Sequence, residues 1–184
     1  MAGIAAGVKD SEKKYGDILV SRYTWNYEAG KYKYRLKTKT TIFEPNPEQI
    51  ELDDSLVHIV NDLKSDKKLL QSIHNGFTKT VDDDKPDSAL KVFIGPLASG
   101  SAILANEKKI ETIRKRNRKL IGIDMETFGV FYAAKNYSNR NQTKAISIKS
   151  ISDFADQSKS DRYRNYAAYT SAMFVYNLIK NKLQ

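Results

Sequence analysis

An α/β fold is predicted from three observations. After residue 88, apolar runs of strand length alternate with segments of helix length, the pattern of strands and helices packed in layers. Two of those runs each end on carboxylates: Leu120, Ile121 and Ile123 lead into Asp124-Met125-Glu126, and Ala145-Ile146-Ser147-Ile148 leads into Lys149-Ser150-Ile151-Ser152-Asp153. The 184 residues, 40% of them hydrophobic, suffice for one domain, residues 1–184, with a sizeable core. Open α/β sheets place ligands in the crevice beyond the carboxyl ends of their strands. Acidic residues delivered there by two strands are candidates for one shared site.

Taken in order, residues 1–8 are small and carry Gly3 and Gly7, suited to a backbone turn that approaches a ligand closely. Asp17-Ile18-Leu19-Val20 reads as a short strand. Tyr23 to Tyr27 and Lys31 to Leu36 are rich in β-formers, with Glu28-Ala29-Gly30 as a hairpin loop between them. Pro45 and Pro47 break regular structure. Asp53 or Asp54 caps a helix with Leu56, Ile59, Val60 and Leu63 at helical spacing. A second helix carries Leu69, Leu70 and Ile73 and ends near Asn75-Gly76. His58 and His74 have no second ligand on a shared face, so they read as surface or packing histidines and no metal is expected.

Asp82 to Asp87 is a solvated acidic loop without the glycine or spacing of a calcium loop. Leu90 to Ile94 is a strand, which Ser99-Gly100-Ser101 ends with hydroxyls and a flexible backbone. Glu107 to Arg118 is a charged helix with Ile110 and Ile113 to bury. The helix opening near Met125 puts Met125, Phe128 and Tyr132 on one stripe, with Gly129 allowing close packing. After a polar loop from Tyr137 to Thr143 comes the strand bearing Lys149. A last helix, from Asp161 to about Leu183, spaces Ala167, Thr170, Phe174 and Leu178 along one face.

Composition removes some chemistries. Without cysteine there is no disulfide, thiolate nucleophile or Cys-based metal site, which suits a reducing compartment. No apolar run approaches the ~20 residues of a membrane helix, and no signal pattern opens the chain, so a cytoplasmic address is expected. The formal charge of +9 has two sources. Lys31, Lys33, Arg35, Lys37 and Lys39 alternate with Tyr32, Tyr34 and Leu36, so a strand puts all five on one face. Arg114, Lys115, Arg116, Arg118 and Lys119 cluster at a helix end, where cations suit the macrodipole. Both read first as solvated surface, and second as attraction for an anionic nucleotide or acidic partner. Nucleic acid is not an expected partner, because no recognised binding motif is present.

Asp124-Met125-Glu126, followed by a small-residue helix and then Ile151-Ser152-Asp153-Phe154-Ala155-Asp156, resembles the purine nucleoside phosphorylase and methylthioadenosine/S-adenosylhomocysteine nucleosidase superfamily. Its members show a Glu-Met-Glu stretch and a Ser-Asp pair on the next strand. Leu97-Ala98-Ser99-Gly100-Ser101-Ala102 resembles the family's Ser-Gly strand end, and Met1 to Gly7 its glycine-rich turn. Trp25-Asn26-Tyr27 with Gly30, and Phe43-Glu44-Pro45-Asn46-Pro47, resemble a bacterial branch fused to signalling or effector modules. The resemblance implies a three-layer nucleoside phosphorylase-like fold with a central mixed sheet. Family members place further strands before the glycine-rich turn where this chain opens. N-terminal strands are therefore expected to be missing, with an exposed sheet edge that favours self-association into a homo-oligomer.

The resemblance also implies roles. Asp153 is the general acid at purine N7; the alternative from the residues alone is a turn cap, the common work of a Ser-Asp pair. Glu126 clamps the ribose hydroxyls and Met125 packs under the sugar. Ile103 and Leu104, with Ser152, line the base, and Ser99 and Lys149 are further site candidates, Lys149 standing where many members have Arg. Asp124 stays near the backbone. Where phosphorylases have Arg and Ser around the glycine-rich turn this chain has Met1 and Ile4, which weakens a phosphate site and favours hydrolysis by water over phosphorolysis. The implied substrate is a purine nucleoside or nucleotide, with no cofactor. The competing expectation is a catalytically silent nucleotide-binding or oligomerisation module of the same fold.

Overall fold

The computed structural model describes residues 1–101, 107–137, 143–155 and 161–182. Strands β1 (Ala2–Gly7), β2 (Ile18–Asn26), β3 (Gly30–Arg35), β4 (Thr40–Pro45) and β5 (Gln49–Glu51) precede helices α1 (Asp54–Ser65) and α2 (Lys67–Asn75). Then follow β6 (Val92–Ser99), α3 (Glu107–Arg116), β7 (Gly122–Asp124), α4 (Thr127–Asn136), β8 (Ile148–Asp153), a short 3₁₀ turn (Asp161–Tyr163) and α5 (Arg164–Lys182). The main sheet is mixed and runs β5-β2-β6-β7-β1-β8, and β2 also pairs with β8, so five of its strands close on themselves. The crevice of an open sheet is thus replaced by the rim of a small barrel. Strands β2, β6 and β7 are mutually parallel; β1 and β8 are parallel to each other and opposed to those three, as is the edge strand β5.

Closure follows from the small residues of β1 and from β2, which is buried on both faces. Ile18 and Val20 point outward into a cluster with Leu56 and Val60 of α1, Ile73 of α2, Phe131 of α4 and Phe174 and Leu178 of α5. Leu19 points inward to meet Ala5, Leu97, Ile121 and Ile151, one residue from each of the other wall segments. A third cluster seats Ile113 of α3 on Trp25, Ala98 and Ile123. A Cβ added at Gly7 would lie 2.8 Å from Ile151 Cδ1, and one at Gly122 2.5 Å from Leu19 Cδ1, so larger residues there would force the barrel open. On the outside, Thr170 of α5 donates to Gly16 O at 2.9 Å and contacts Ser150 Oγ at 2.9 Å.

Several elements differ from the sequence reading. The two strands expected over 17–20 and 23–27 are one, β2, with its register shifted between Ser21 and Tyr23. β3 pairs with β4 rather than with β2, because Glu28-Ala29-Gly30 turns the chain away from the barrel. The ribbon holds Lys31, Lys33 and Arg35, while Lys37 and Lys39 fall in its turn, so five cations do not share one strand face. The glycine-bearing segment expected to be a turn is strand β1, and β8 starts at Ile148 rather than Ala145. Helix α4 starts at Thr127 and buries Thr127 and Phe131, whereas Met125 and Tyr132 are about half exposed. Among the described residues nothing lies within 4 Å of a Cβ at Gly129, so none of them packs closely on that glycine. Asp53 does cap α1, accepting from Ser55 N at 2.9 Å, and Asp66 caps α2.

Candidate active site

The site is built on the last residue of β7. Alternation along the strand turns Ile123 outward to α3 and Asp124, like Gly122, to the barrel side, where burial requires the carboxylate to find donors. Ser99 Oγ donates to Asp124 Oδ1 at 2.6 Å, Thr127 Oγ1 to Oδ2 at 2.5 Å, and Thr127 N reaches Oδ2 at 3.1 Å. Thr127 Oγ1 also contacts Ser147 Oγ at 2.7 Å, and Ser99 Oγ accepts from Phe128 N at 2.9 Å. Ser99 and Asp124 therefore fix the first turn of α4, and Asp124, expected near the backbone, also binds the Ser99 and Thr127 hydroxyls.

Lys149 reaches this network from β8. Its ammonium lies 3.1 Å from Asp124 Oδ2 and 2.6 Å from Glu126 Oε2, with side-chain exposures of 4% for Lys149, 1% for Asp124 and 56% for Glu126. A buried ammonium is tolerable when paired with carboxylates at charge-assisted distances. Gly3 provides the room: a Cβ there would stand 3.1 Å from Lys149 Nζ. Glu126 caps α4 without a side-chain hydrogen bond to the helix, so its carboxylate is aimed by Lys149 instead.

Asp153 ends β8, beyond a register shift at Ala5/Ala6. Its Oδ1 accepts from Ala155 N at 2.8 Å and its Oδ2 from Ser152 Oγ at 3.0 Å, while Ala155 adopts φ 52°. Asp153 thus caps a turn, the alternative reading of the Ser-Asp pair, and its carboxyl group remains half-buried.

β7 and β8 run in opposite directions, so the premise that both acids leave carboxyl ends on one edge is corrected. Register relates them instead. Ala6 of β1 pairs with Ile123 on one side and with Asp153 on the other, two strand spacings or about 10 Å in all. Glu126 follows Ile123 by three residues, beyond the end of β7.

Met125 sits beside Glu126, about half exposed. Ser152 Oγ lies 3.5 Å from Ala5 O. Ile103 and Leu104 lie outside the described residues. Reading the sequence missed Thr127 and Ser147. The first was findable from its capping distance to Asp124, whereas Ser147 had no local signal. Among the described residues no group of three or more His, Asp or Glu could hold a metal, and His74 packs with Nδ1 2.6 Å from Tyr166 OH. No helix of the described residues is long and apolar enough to cross a membrane.

Residues 1–180 match the family described as the phosphorylase superfamily. The chain belongs to that superfamily. An uncharacterized protein, y4jS, of Sinorhizobium fredii is 31% identical over 172 residues, covering 94% of this chain and 40% of that one. The ATP nucleosidase Cap17 of Escherichia coli is 23% identical over 188 residues, covering 98% of this chain and 35% of its own length. A death domain-containing ATP nucleosidase of Amphimedon queenslandica is 25% identical over 182 residues, covering 94% and 32%. This chain therefore spans well under half of each of these curated relatives. Among solved structures, the methylthioadenosine/S-adenosylhomocysteine nucleosidase of Neisseria meningitidis superposes with a TM-score of 0.68 at 18% identity, covering 97% of this chain and 67% of that one. A putative nucleosidase of the same kind from Borrelia burgdorferi, bound to adenine, gives 0.66 at 23% identity, covering 97% and 67%. At these identities the superpositions show the fold, a nucleoside phosphorylase-like mixed sheet with helices.

Proposed function

We propose that this chain carries the ribose- and base-binding half of a nucleosidase site that hydrolyses the N-glycosidic bond of a purine nucleoside or nucleotide. The observation that carries the reading is Glu126, held at 2.6 Å by a buried Lys149 of β8, the strand that ends on Asp153. Support also comes from relatives named as ATP nucleosidases and from the fold shared with an adenine-bound nucleosidase.

Cleavage breaks the C1′–N9 bond, with its electron pair leaving on the base. Asp153, protonated from solvent, gives its proton to N7 and so discharges the departing purine. The sugar becomes oxocarbenium-like and water adds at C1′, releasing a proton to solvent and giving ribose (or its 5′-substituted form) and free base. Glu126 accepts hydrogen bonds from the ribose hydroxyls through Oε1, which makes none among the described residues, while Lys149 keeps Oε2. Holding the sugar in reactive geometry is worth several kcal/mol. No described residue is assigned to orient the water.

The test is product analysis with the full-length protein, supplied with adenosine- and guanosine-type nucleosides and nucleotides. Free base together with a reducing sugar, formed without added phosphate, is the expected outcome. Release that requires phosphate and yields a 1-phosphorylated sugar would overturn the hydrolytic reading. Tight nucleotide binding without base release would leave the silent binding module in its place.

A further inference from the structure

Formal charge is unevenly placed along this chain. Residues 30–45 carry five Lys and Arg against Glu44, and residues 107–119 carry seven against Glu107 and Glu111; the combined excess of nine equals the formal charge of the whole chain. All remaining residues together are neutral. These two segments, far apart in sequence, meet in the fold. The Arg116 guanidinium, at the end of α3, lies 5.2 Å from the Phe43 ring centroid on β4, and its Nη1 donates to Tyr27 O at 2.9 Å at the root of the ribbon.

The ribbon has two faces. Tyr32 pairs with Phe43 and Tyr34 with Thr41, so the tyrosines lie on the face that Arg116 abuts, with Tyr32 and Phe43 rings 5.2 Å apart. Tyr32 is 76% exposed and Tyr34 56%. Flanking Arg116 in the chain, Arg114, Lys115, Arg118 and Lys119 are all exposed. Lys31, Lys33 and Arg35 occupy the opposite face, where Lys31 and Lys33 share Glu44 at 3.6 and 3.7 Å, exposed pairs that offset little of the field.

We propose that this face, formed by the β3–β4 ribbon and the end of α3, binds single-stranded nucleic acid, with phosphates on the α3-end cations and bases on Tyr32 and Tyr34. Rings two residues apart on a strand stand about 7 Å from each other, roughly twice the 3.4 Å rise per nucleotide within a duplex strand. They suit unstacked bases rather than a duplex. Exposed aromatic platforms beside a cationic track are what sequence-tolerant single-strand binding requires. Lone cations would be enough for a free anion, and a membrane surface would not need rings in this register.

The test is fluorescence anisotropy of the full-length protein with labelled oligouridylate, which carries no purine and so does not engage the proposed glycosidic site. Wild type is expected to bind with a salt slope of about −0.7 per phosphate contact. Arg114→Glu with Arg118→Glu is expected to weaken binding at least 10-fold and to flatten the slope. Tyr32→Ala with Tyr34→Ala is expected to weaken binding by about 10-fold or more with the slope retained. All four side chains are exposed, and unchanged thermal midpoints establish that the variants fold. Absence of binding at low salt overturns the proposal. Competition by inorganic polyphosphate with the tyrosine variants unaffected would mean an anion sink, and preference for phosphatidylserine vesicles a membrane surface; either result also overturns it.

Discussion

Lys149 of β8 and Glu126 at the start of α4 meet at 2.6 Å although the strands that deliver them run in opposite directions. The contact works because β8 lies two strands from β7, across glycine- and alanine-rich β1, and because a lysine is long enough to cross beneath Gly3. Asp124 completes the arrangement from below. A buried carboxylate, a buried ammonium and an exposed carboxylate then form a chain whose outer end faces solvent.

Removing the middle of that chain leaves Asp124 buried without its counter-charge. Lys149→Met is expected to lower stability by about 3 kcal/mol, the low end for breaking a buried pair, because Ser99 and Thr127 still donate to Asp124. Urea denaturation measures it, and combining Lys149→Met with Asp124→Leu should recover part of the loss. An unchanged midpoint in the single variant would show that the pair is not formed in solution.

Gly129 gives a contrasting expectation. With no atom of the described residues within 4 Å of its missing Cβ, Gly129→Ala should stabilise α4 by about 0.5–1 kcal/mol through helix propensity. Gly7→Ala, facing Ile151 Cδ1 at 2.8 Å, should instead cost about 1–3 kcal/mol. Thermal midpoints moving in the same direction for both would contradict the packing described.

These two glycines also show what the sequence could and could not disclose. Gly129 lies next to the stripe of Met125, Phe128 and Tyr132, which suggested a packing role, but which side of α4 meets the core depends on distant partners. Helix faces set by local periodicity were legible: Ala167, Thr170, Phe174 and Leu178 are all buried, and Asp53 caps α1. Strand pairing was not, because it depends on distant partners. Nothing near Lys31 says that β3 turns to β4 rather than to β2, and nothing near Asp153 says that β8 opposes β7. Glu126, Asp153 and Lys149 were picked out by local motif, whereas the Ser147 hydroxyl behind Thr127 came only with the fold.

Asp17 supplies a pH signature. Burial pushes its carboxyl group up from 3.8 to about 6, against two backbone donors, Lys14 N at 2.8 Å and Lys91 N at 2.9 Å, that pull the other way. The folded state therefore holds this proton more tightly than the unfolded chain. Its contribution to stability is fully present below pH 4 and is lost as pH rises through about 6, on the order of 3 kcal/mol at most. Asp53, held down to about 2 by Ser55 and Lys144, has its own window below that range. Denaturation across pH 4 to 7 should show the decline in wild type relative to Asp17→Asn; parallel profiles for the two proteins would refute the assignment.

Base release by the full-length protein and its Asp153→Asn variant, followed in single turnovers, bears most directly on the proposed chemistry. Asp153 is half-buried and its turn contact to Ala155 N survives in an asparagine, so the variant is expected to fold and to retain ribose contacts at Glu126. Turnover should fall about 100-fold or more, the range for loss of a general acid, with KM changed far less. Equal rates of base release in wild type and Asp153→Asn would contradict the account and leave Asp153 as a turn cap alone.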